Sequence, residues 1–389
     1  MVDYPVENVI FMGGGIQALP DINFVKLKVK RIVLGSIEGH SGNMFFRGLL
    51  DSHPEILMMG YNYLNENLYF ICIRLAMERK ENILPLLWSL YNNESHYHGE
   101  DGWKEPRIKK FNQSMEELMT DREIFTSQEL FNMIHIAYAK AWGKDIKNIS
   151  DMIIYWEPHD MPREELEEYA VWLGRTEIPG NIIQVVRDIC KQRGSELRDI
   201  LRFGWYSGLT YGIYKYTWAY SDYRKKEYAG WERKVVKFES LKCNPQKELL
   251  DICNEWEIAW SDTLLETTKN GHKELYLDKI TDFDLAPVYR TYEEYYSSFD
   301  RLRIMLINGP RQKKYGYPYV SSMDFSRREL QEMFQKDFRF EKELRYEWND
   351  DRKKMKDRVK EMINWNLWKV RREEIMEEKH CYEKNSIYH

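Results

Sequence analysis

A chain of 389 residues, 43% apolar and 31% charged, buries a substantial core and reads as a folded globular protein rather than a disordered or fibrous one. Its formal net charge of −5 gives no overall attraction to nucleic acid or anionic lipid, so any polyanion has to be held by a local basic patch. Five cysteines (Cys72, Cys190, Cys243, Cys253, Cys381) form no CxxC pair, which leaves neither a disulfide framework nor a zinc site in view.

Residues 1–30 read as a lead-in, with Val9-Ile10-Phe11 as an edge strand and Gly13-Gly14-Gly15 as a turn. They lack the basic start and apolar core of a signal peptide, and no run nears the ~20 apolar residues of a membrane span. A cytoplasmic protein is expected. From Arg31 to Ile56 the chain reads RIVLGSIEGHSGNMFFRGLLDSHPEI: a β-rich run at Ile32-Val33-Leu34, a turn with Gly35, Gly39 and Gly42, and a helical period at Phe45, Phe46, Leu49 and Leu50. In a strand–loop–helix unit the loop amides and the unpaired amides of the first helical turn converge where they favour an anion, usually a phosphate. Gly39, His40, Ser41, Gly42, Asn43 and Met44 form the expected cradle. Walker spacing is not met, because no lysine follows and Asn43 and Met44 take the places of the hydroxyls that would hold magnesium; an ordinary ATPase is disfavoured.

A second apolar run follows at Glu55 to Met59, and residues 62–150 are helical in pattern and rich in Tyr, Trp, Leu and Met. They read as an insertion that covers the pocket and meets an acceptor. Strand-like runs return at Met152–Trp156, Asn181–Val186 and Lys234–Phe238, each followed by a helical pattern. Strands spaced by helices predict a central parallel sheet flanked by helices on both faces, a three-layer α/β fold. Ligands of such sheets sit beyond the strands' carboxyl ends, which directs attention to Glu157 to Asp160, Arg187-Asp188 and Glu239. From Asp324 onward there is no glycine, and Leu330, Met333, Phe334, Phe338, Met355, Val359, Met362, Trp365 and Trp368 fall near helical spacing. That describes charged amphipathic helices docking on the main domain or on a second copy, as in a homodimer. The expected division is a lead-in at 1–30, an α/β domain at 31–318 with its helical insertion at 62–150, and a charged helical extension at 319–389.

Ser41, Gly42, Leu50, His53 and Pro54 resemble, position for position, the opening motif of the P-loop sulfotransferases that use 3′-phosphoadenosine 5′-phosphosulfate (PAPS); His40, Asn43 and Met44 depart from it. Arg187, after a strand, and Ser195, eight residues on in the next helix, resemble that family's pair for the 3′-phosphate. The chemistry suits them, since guanidinium binds phosphate bidentately and a hydroxyl adds a short donor. Val235 to Leu241 with Asn244-Pro245 resembles a largely structural strand-then-helix stretch, in which Glu239 caps loop amides, and Pro287 to Pro318 resembles the closing segment of many bacterial members. The likeness runs by short motifs from Arg31 to Pro318, with 62–150 unmatched.

The resemblance implies a P-loop-type fold and sulfuryl transfer from PAPS to a hydroxyl or amine of a small-molecule or glycan acceptor. It leaves 3′-phosphoadenosine 5′-phosphate and requires neither metal nor nucleic acid. His40 stands where the family places a lysine or arginine that stabilises the leaving phosphate, and as an imidazolium it can do the same work. His159 is the expected base, with Glu157 second; His53 is assigned to structure. Two alternatives stay open. One is a P-loop kinase or NTPase with Asp188 as its magnesium carboxylate, and the other is a non-catalytic sulfotransferase-like module.

Overall fold

The computed structural model describes residues 27–36, 39–60, 63–93, 105–120, 122–158, 163–203, 227–273, 275–276, 279–280, 283–335 and 372–377. The lead-in strand and turn, His159 and Asp160, and the part of the extension that carries Phe338 to Trp368 lie outside the described residues.

Strands β1 (Arg31–Ser36), β2 (Ile56–Leu57), β3 (Ile153–Trp156), β4 (Gly180–Val186), β5 (Glu227–Tyr228) and β6 (Trp231–Lys237) form one sheet in the order β2-β3-β1-β4-β6-β5. All pairs are parallel except β5 on β6 at the edge. Parallel strands covered on both faces are apolar at nearly every position, and here IIYW is buried throughout and GNIIQVV over its last five residues. Successive residues of a strand face opposite ways and enter different cores. Ile32, Leu34, Ile154, Trp156 and Ile182 belong to one cluster, while Val33, Ile153, Tyr155, Ile183, Val185 and Val236 belong to the other. This is the three-layer α/β arrangement expected from the alternation of strands and helices.

Helix α1 (Asn43–Asp51) and the helix Pro245–Trp256 cover the second face, through Phe46, Leu49, Leu249 and Ile252. The stretch 62–150 folds into α2 (Tyr63–Glu66), α3 (Leu68–Leu75), α4 (Lys80–Asn93), α5 (Glu105–Leu118) and α6 (Ser127–Ala141). Of these, α6 belongs to the layer covering the first face, where its Phe131 meets Trp156 edge-on at 5.3 Å. A capping box of Thr126 and Glu129 fixes where α6 starts. Helix α7 (Arg163–Gly174) adds Leu166, Ala170 and Leu173 to the same core. Part of the extension docks on the body, since Ile375, in the helical residues 372–377, is buried against Leu306 and Leu330. Among the described residues no helix is long and apolar enough to cross a membrane.

The end of α1 is closed by two titratable groups, one buried and one half-buried. His53 accepts from the Glu55 N–H at Nδ1 (3.2 Å) while its Nε2 donates to the Ala259 carbonyl (3.0 Å), and burial lowers its pKa. Its role is therefore structural. Lys144 donates to the carbonyls of Asp51 (3.5 Å), His53 (2.6 Å) and Ile56. Burial lowers its pKa from 10.5 to about 8, against the opposing pull of Asp51. Between those values the unfolded chain binds the proton that the folded chain has lost, so this group makes stability rise with pH there, by at most ~1.4 kcal/mol per pH unit. We expect urea unfolding midpoints of wild type to gain on those of Lys144→Met between about pH 8 and 10.5 and to run parallel below that window. Parallel curves across the window would mean that Lys144 is charged in both states.

Candidate functional site

β1 and β4 are neighbours, Ser36 lying opposite Gln184, and the connections after them lead to opposite ends of the sheet. The crevice at their carboxyl ends is where such sheets take ligands. The glycine loop opens into it. Gly42 is the N-cap of α1 with φ 109°, and a Cβ there would lie 2.2 Å from the Phe238 ring, so only glycine lets the chain turn against that ring. The cap supplies no side-chain acceptor and the first turn carries no carboxylate, which leaves its amides to favour an anion. Buried Ser41 donates through Oγ to Asn43 Oδ1 at 3.0 Å, and Met44 is exposed beside them.

The loop is fastened from β4 and α8 (Ile189–Phe203). Gln192 donates to the Gly39 carbonyl at 2.8 Å, and Arg187 Nη1 to the His40 carbonyl at 3.4 Å. The His40 ring, on a residue with φ 58°, places Nδ1 3.5 Å from Asp199 Oδ2. Gln192, Ser195 and Asp199 recur at helical spacing, so nearly buried Ser195 sits on the face of α8 turned toward the loop. Its hydroxyl makes no hydrogen bond among the described residues.

Arg187 is only 4% exposed. Its guanidinium lies 4.6 Å over the Phe238 ring, Nη2 donates to the Pro287 carbonyl at 2.7 Å, and Nε is buried with no partner. Among the described residues no carboxylate lies within ion-pair distance of it. A buried cation left without an anion costs several kcal/mol, which makes this guanidinium a candidate anion ligand. The neighbouring Asp188 is committed elsewhere, because Oδ1 caps α8 at the Lys191 N–H (3.1 Å) and Oδ2 accepts from Gln312 at 3.1 Å. Both oxygens of the carboxylate that a kinase reading had available from the sequence thus serve structural bonds.

Residues 287–318 strap the strand ends. Arg311, fully buried, donates to the Arg187 carbonyl at 3.3 Å and to Gln192 Oε1 at 3.4 Å. Tyr317 donates to Glu239 Oε2 at 2.7 Å, and burial with that carboxylate raises its pKa. Glu239 in turn accepts the Asp188 N–H at 3.2 Å, the loop-capping role expected of it. On the other side of β1, Glu157 ends β3 and is buried. Its carboxylate accepts from the Tyr155 hydroxyl, and its carbonyl accepts from Arg47 (3.3 Å) and Asn65 (3.1 Å). A Cβ on Gly35 would lie 2.8 Å from Glu157 Cβ and Cγ, so Gly35 makes room for this carboxylate at the root of the loop.

The structure thus gathers Gly39, His40, Ser41, Gly42, Asn43, Met44 and Arg187 at one crevice, with Ser195 on the α8 face beside them and Glu157 one strand over. Asp199, Gln192, Arg311 and the Phe238 ring were not expected from the sequence as parts of it. The helical spacing that Gln192 and Asp199 share with Ser195 places them on one face of α8, but does not predict what that face meets. Among the described residues no three His, Cys, Asp or Glu side chains group to hold a metal ion.

No family model and no curated protein matches the chain. Among solved structures it is similar to the sulfotransferase domain from the Synechococcus PCC 7002 olefin synthase, at 12% identity and a TM-score of 0.37, over 75% of this chain and 97% of that one. It is similar at the same identity and TM-score to the sulfotransferase domain from the curacin biosynthetic pathway, over 75% of this chain and 99% of that one.

Proposed function

We propose that the chain binds PAPS and passes its sulfuryl group to a hydroxyl or amine of a small-molecule or glycan acceptor. The observation that carries the reading is the buried Arg187 guanidinium with no carboxylate and an unmatched Nε, set beside a glycine loop leading to an uncapped helix N-terminus. Two anion-seeking groups in one crevice suit a nucleotide with a 3′-phosphate and a 5′-phosphosulfate. Arg187 and Ser195 take the first; the amides of Gly39 to Met44 take the second.

PAPS supplies a sulfuryl group already bonded to a good leaving phosphate. The chain's part is to orient that group in line with the acceptor and to meet the charge that develops on the leaving oxygen, which is the work of His40. Acceptor deprotonation falls to His159, with Glu157 as second base. The same test covers the kinase or NTPase alternative. In calorimetry we expect 3′-phosphoadenosine 5′-phosphate to bind at least about tenfold more tightly than ATP with magnesium, a difference of ~1.4 kcal/mol. The reverse order would replace the proposal with a kinase or NTPase. Binding of neither would favour an assembly module.

A further inference from the structure

Arg187 and Gln192 hold the carbonyls of loop residues 40 and 39, but Asp199 holds a reactive side chain: its Oδ2 is 3.5 Å from His40 Nδ1. We propose that Asp199 is the positioning residue for His40. It fixes the ring's proton on Nδ1 and keeps Nε2 as the nitrogen that meets the bound anion. The inference rests on the PAPS reading for what His40 does, though not for how the ring is held.

Three features support it. Asp199 is itself anchored, since its other oxygen accepts from Arg198 Nε at 2.9 Å, so the carboxylate cannot turn away without losing an ion pair. The loop backbone at His40 takes the left-handed φ of 58°, a strained conformation that a side-chain-bearing residue keeps only where its surroundings hold it there. Lastly, a carboxylate at one ring nitrogen is the usual means of fixing a histidine's tautomer and aim. Among the described residues, Arg198 on α8 pairs with Asp199, and Arg187 at the end of β4 holds the His40 carbonyl.

In the family pattern a lysine or arginine at this position carries its charge permanently. A histidine does so only while protonated, so a neighbouring carboxylate that favours imidazolium restores some of what the substitution loses. During transfer the bond from sulfur to the bridging 5′-phosphate oxygen breaks as sulfur bonds to the acceptor. The electron pair stays on that oxygen, where Nε2–H donates to it; the acceptor's proton leaves to the base of the proposed function, His159.

The test uses the full chain labelled with ¹⁵N-histidine, the His40 signals being assigned by their loss in His40→Gln. In wild type the neutral ring should carry its proton on Nδ1. Asp199→Asn should shift the population toward Nε2–H and move the titration midpoint to lower pH, and Asp199→Glu should restore both. Identical tautomer ratios and midpoints in wild type and Asp199→Asn would overturn the proposal. These readouts need no nucleotide, so a failure to bind 3′-phosphoadenosine 5′-phosphate sinks the donor reading alone. Where the nucleotide binds, Asp199→Asn should lower single-turnover transfer about tenfold or more and bring its decline to lower pH. A profile unchanged in height and position would also overturn the assignment.

Discussion

Replacing Arg187 by alanine should weaken 3′-phosphoadenosine 5′-phosphate roughly 10- to 150-fold, the worth of a charge-assisted bond of about 1.5–3 kcal/mol, and adenosine 5′-phosphate far less. Only the first nucleotide carries the 3′-phosphate that the proposal assigns to the guanidinium. The free protein should lose little stability. Arg187 is buried without a carboxylate, so removing it relieves a desolvated charge and offsets the two carbonyl bonds, to His40 and Pro287, that go with it. Arg187→Lys should keep part of the binding but lose the bidentate geometry and the flat stacking on Phe238. Paired titrations of both nucleotides, with unfolding curves of the free proteins, separate the possibilities. Equal losses for the two nucleotides, with a large fall in stability, would make Arg187 a fastener of the strap at Pro287 rather than a phosphate ligand. Ser195→Ala should move binding in the same direction and less far.

The layers of this fold were legible because each strand is short, apolar on both faces and separated by helical period, a pattern that few other arrangements produce. The strand limits were less so. β6 starts at Trp231, three residues before the apolar run at Lys234, because near the sheet edge Glu232, Arg233 and Lys234 meet solvent while their backbones pair. Phe238, the last residue of that run, belongs to the following helix Phe238–Cys243, and its ring turns under Gly42. The site divides in the same way. Loop glycines and an arginine after a strand are local signals that a sequence carries in order. Asp199 at His40, Arg311 under Arg187 and the Pro287 carbonyl are brought together by the packing of α8 and the strap, and nothing local in the sequence predicts such pairings. The departures His40, Asn43 and Met44 set this loop apart from the family pattern in the sequence. Set in the structure, Asn43 accepts from Ser41 inside the loop and His40 has a carboxylate beside it.

Gly42→Ala should be the most damaging single substitution in the loop, lowering stability by roughly 2–6 kcal/mol. About 1–3 of that comes from forcing a side chain to φ 109°, outside even the left-handed helical region. A further ~1–3 comes from overlap, since the new Cβ would lie 2.2 Å from Phe238 Cδ2. The ring has little room to yield, because the Phe45 ring packs edge-on at 6.0 Å and the Arg187 guanidinium lies 4.6 Å over it. Combining Gly42→Ala with Phe238→Leu should therefore recover the steric share while the backbone share persists. In a double-mutant cycle this appears as a favourable coupling of about 1–3 kcal/mol. Nucleotide binding should not recover with stability, because an alanine that relaxes away from φ 109° turns the first amides of α1 from the direction the anion needs. Urea unfolding of the four proteins, followed by calorimetry on those that fold, reads both quantities. A Gly42→Ala protein within about 0.5 kcal/mol of wild type, the range of ordinary surface changes, would show that the chain does not turn at Gly42 against Phe238 and that the anion cradle must be built some other way.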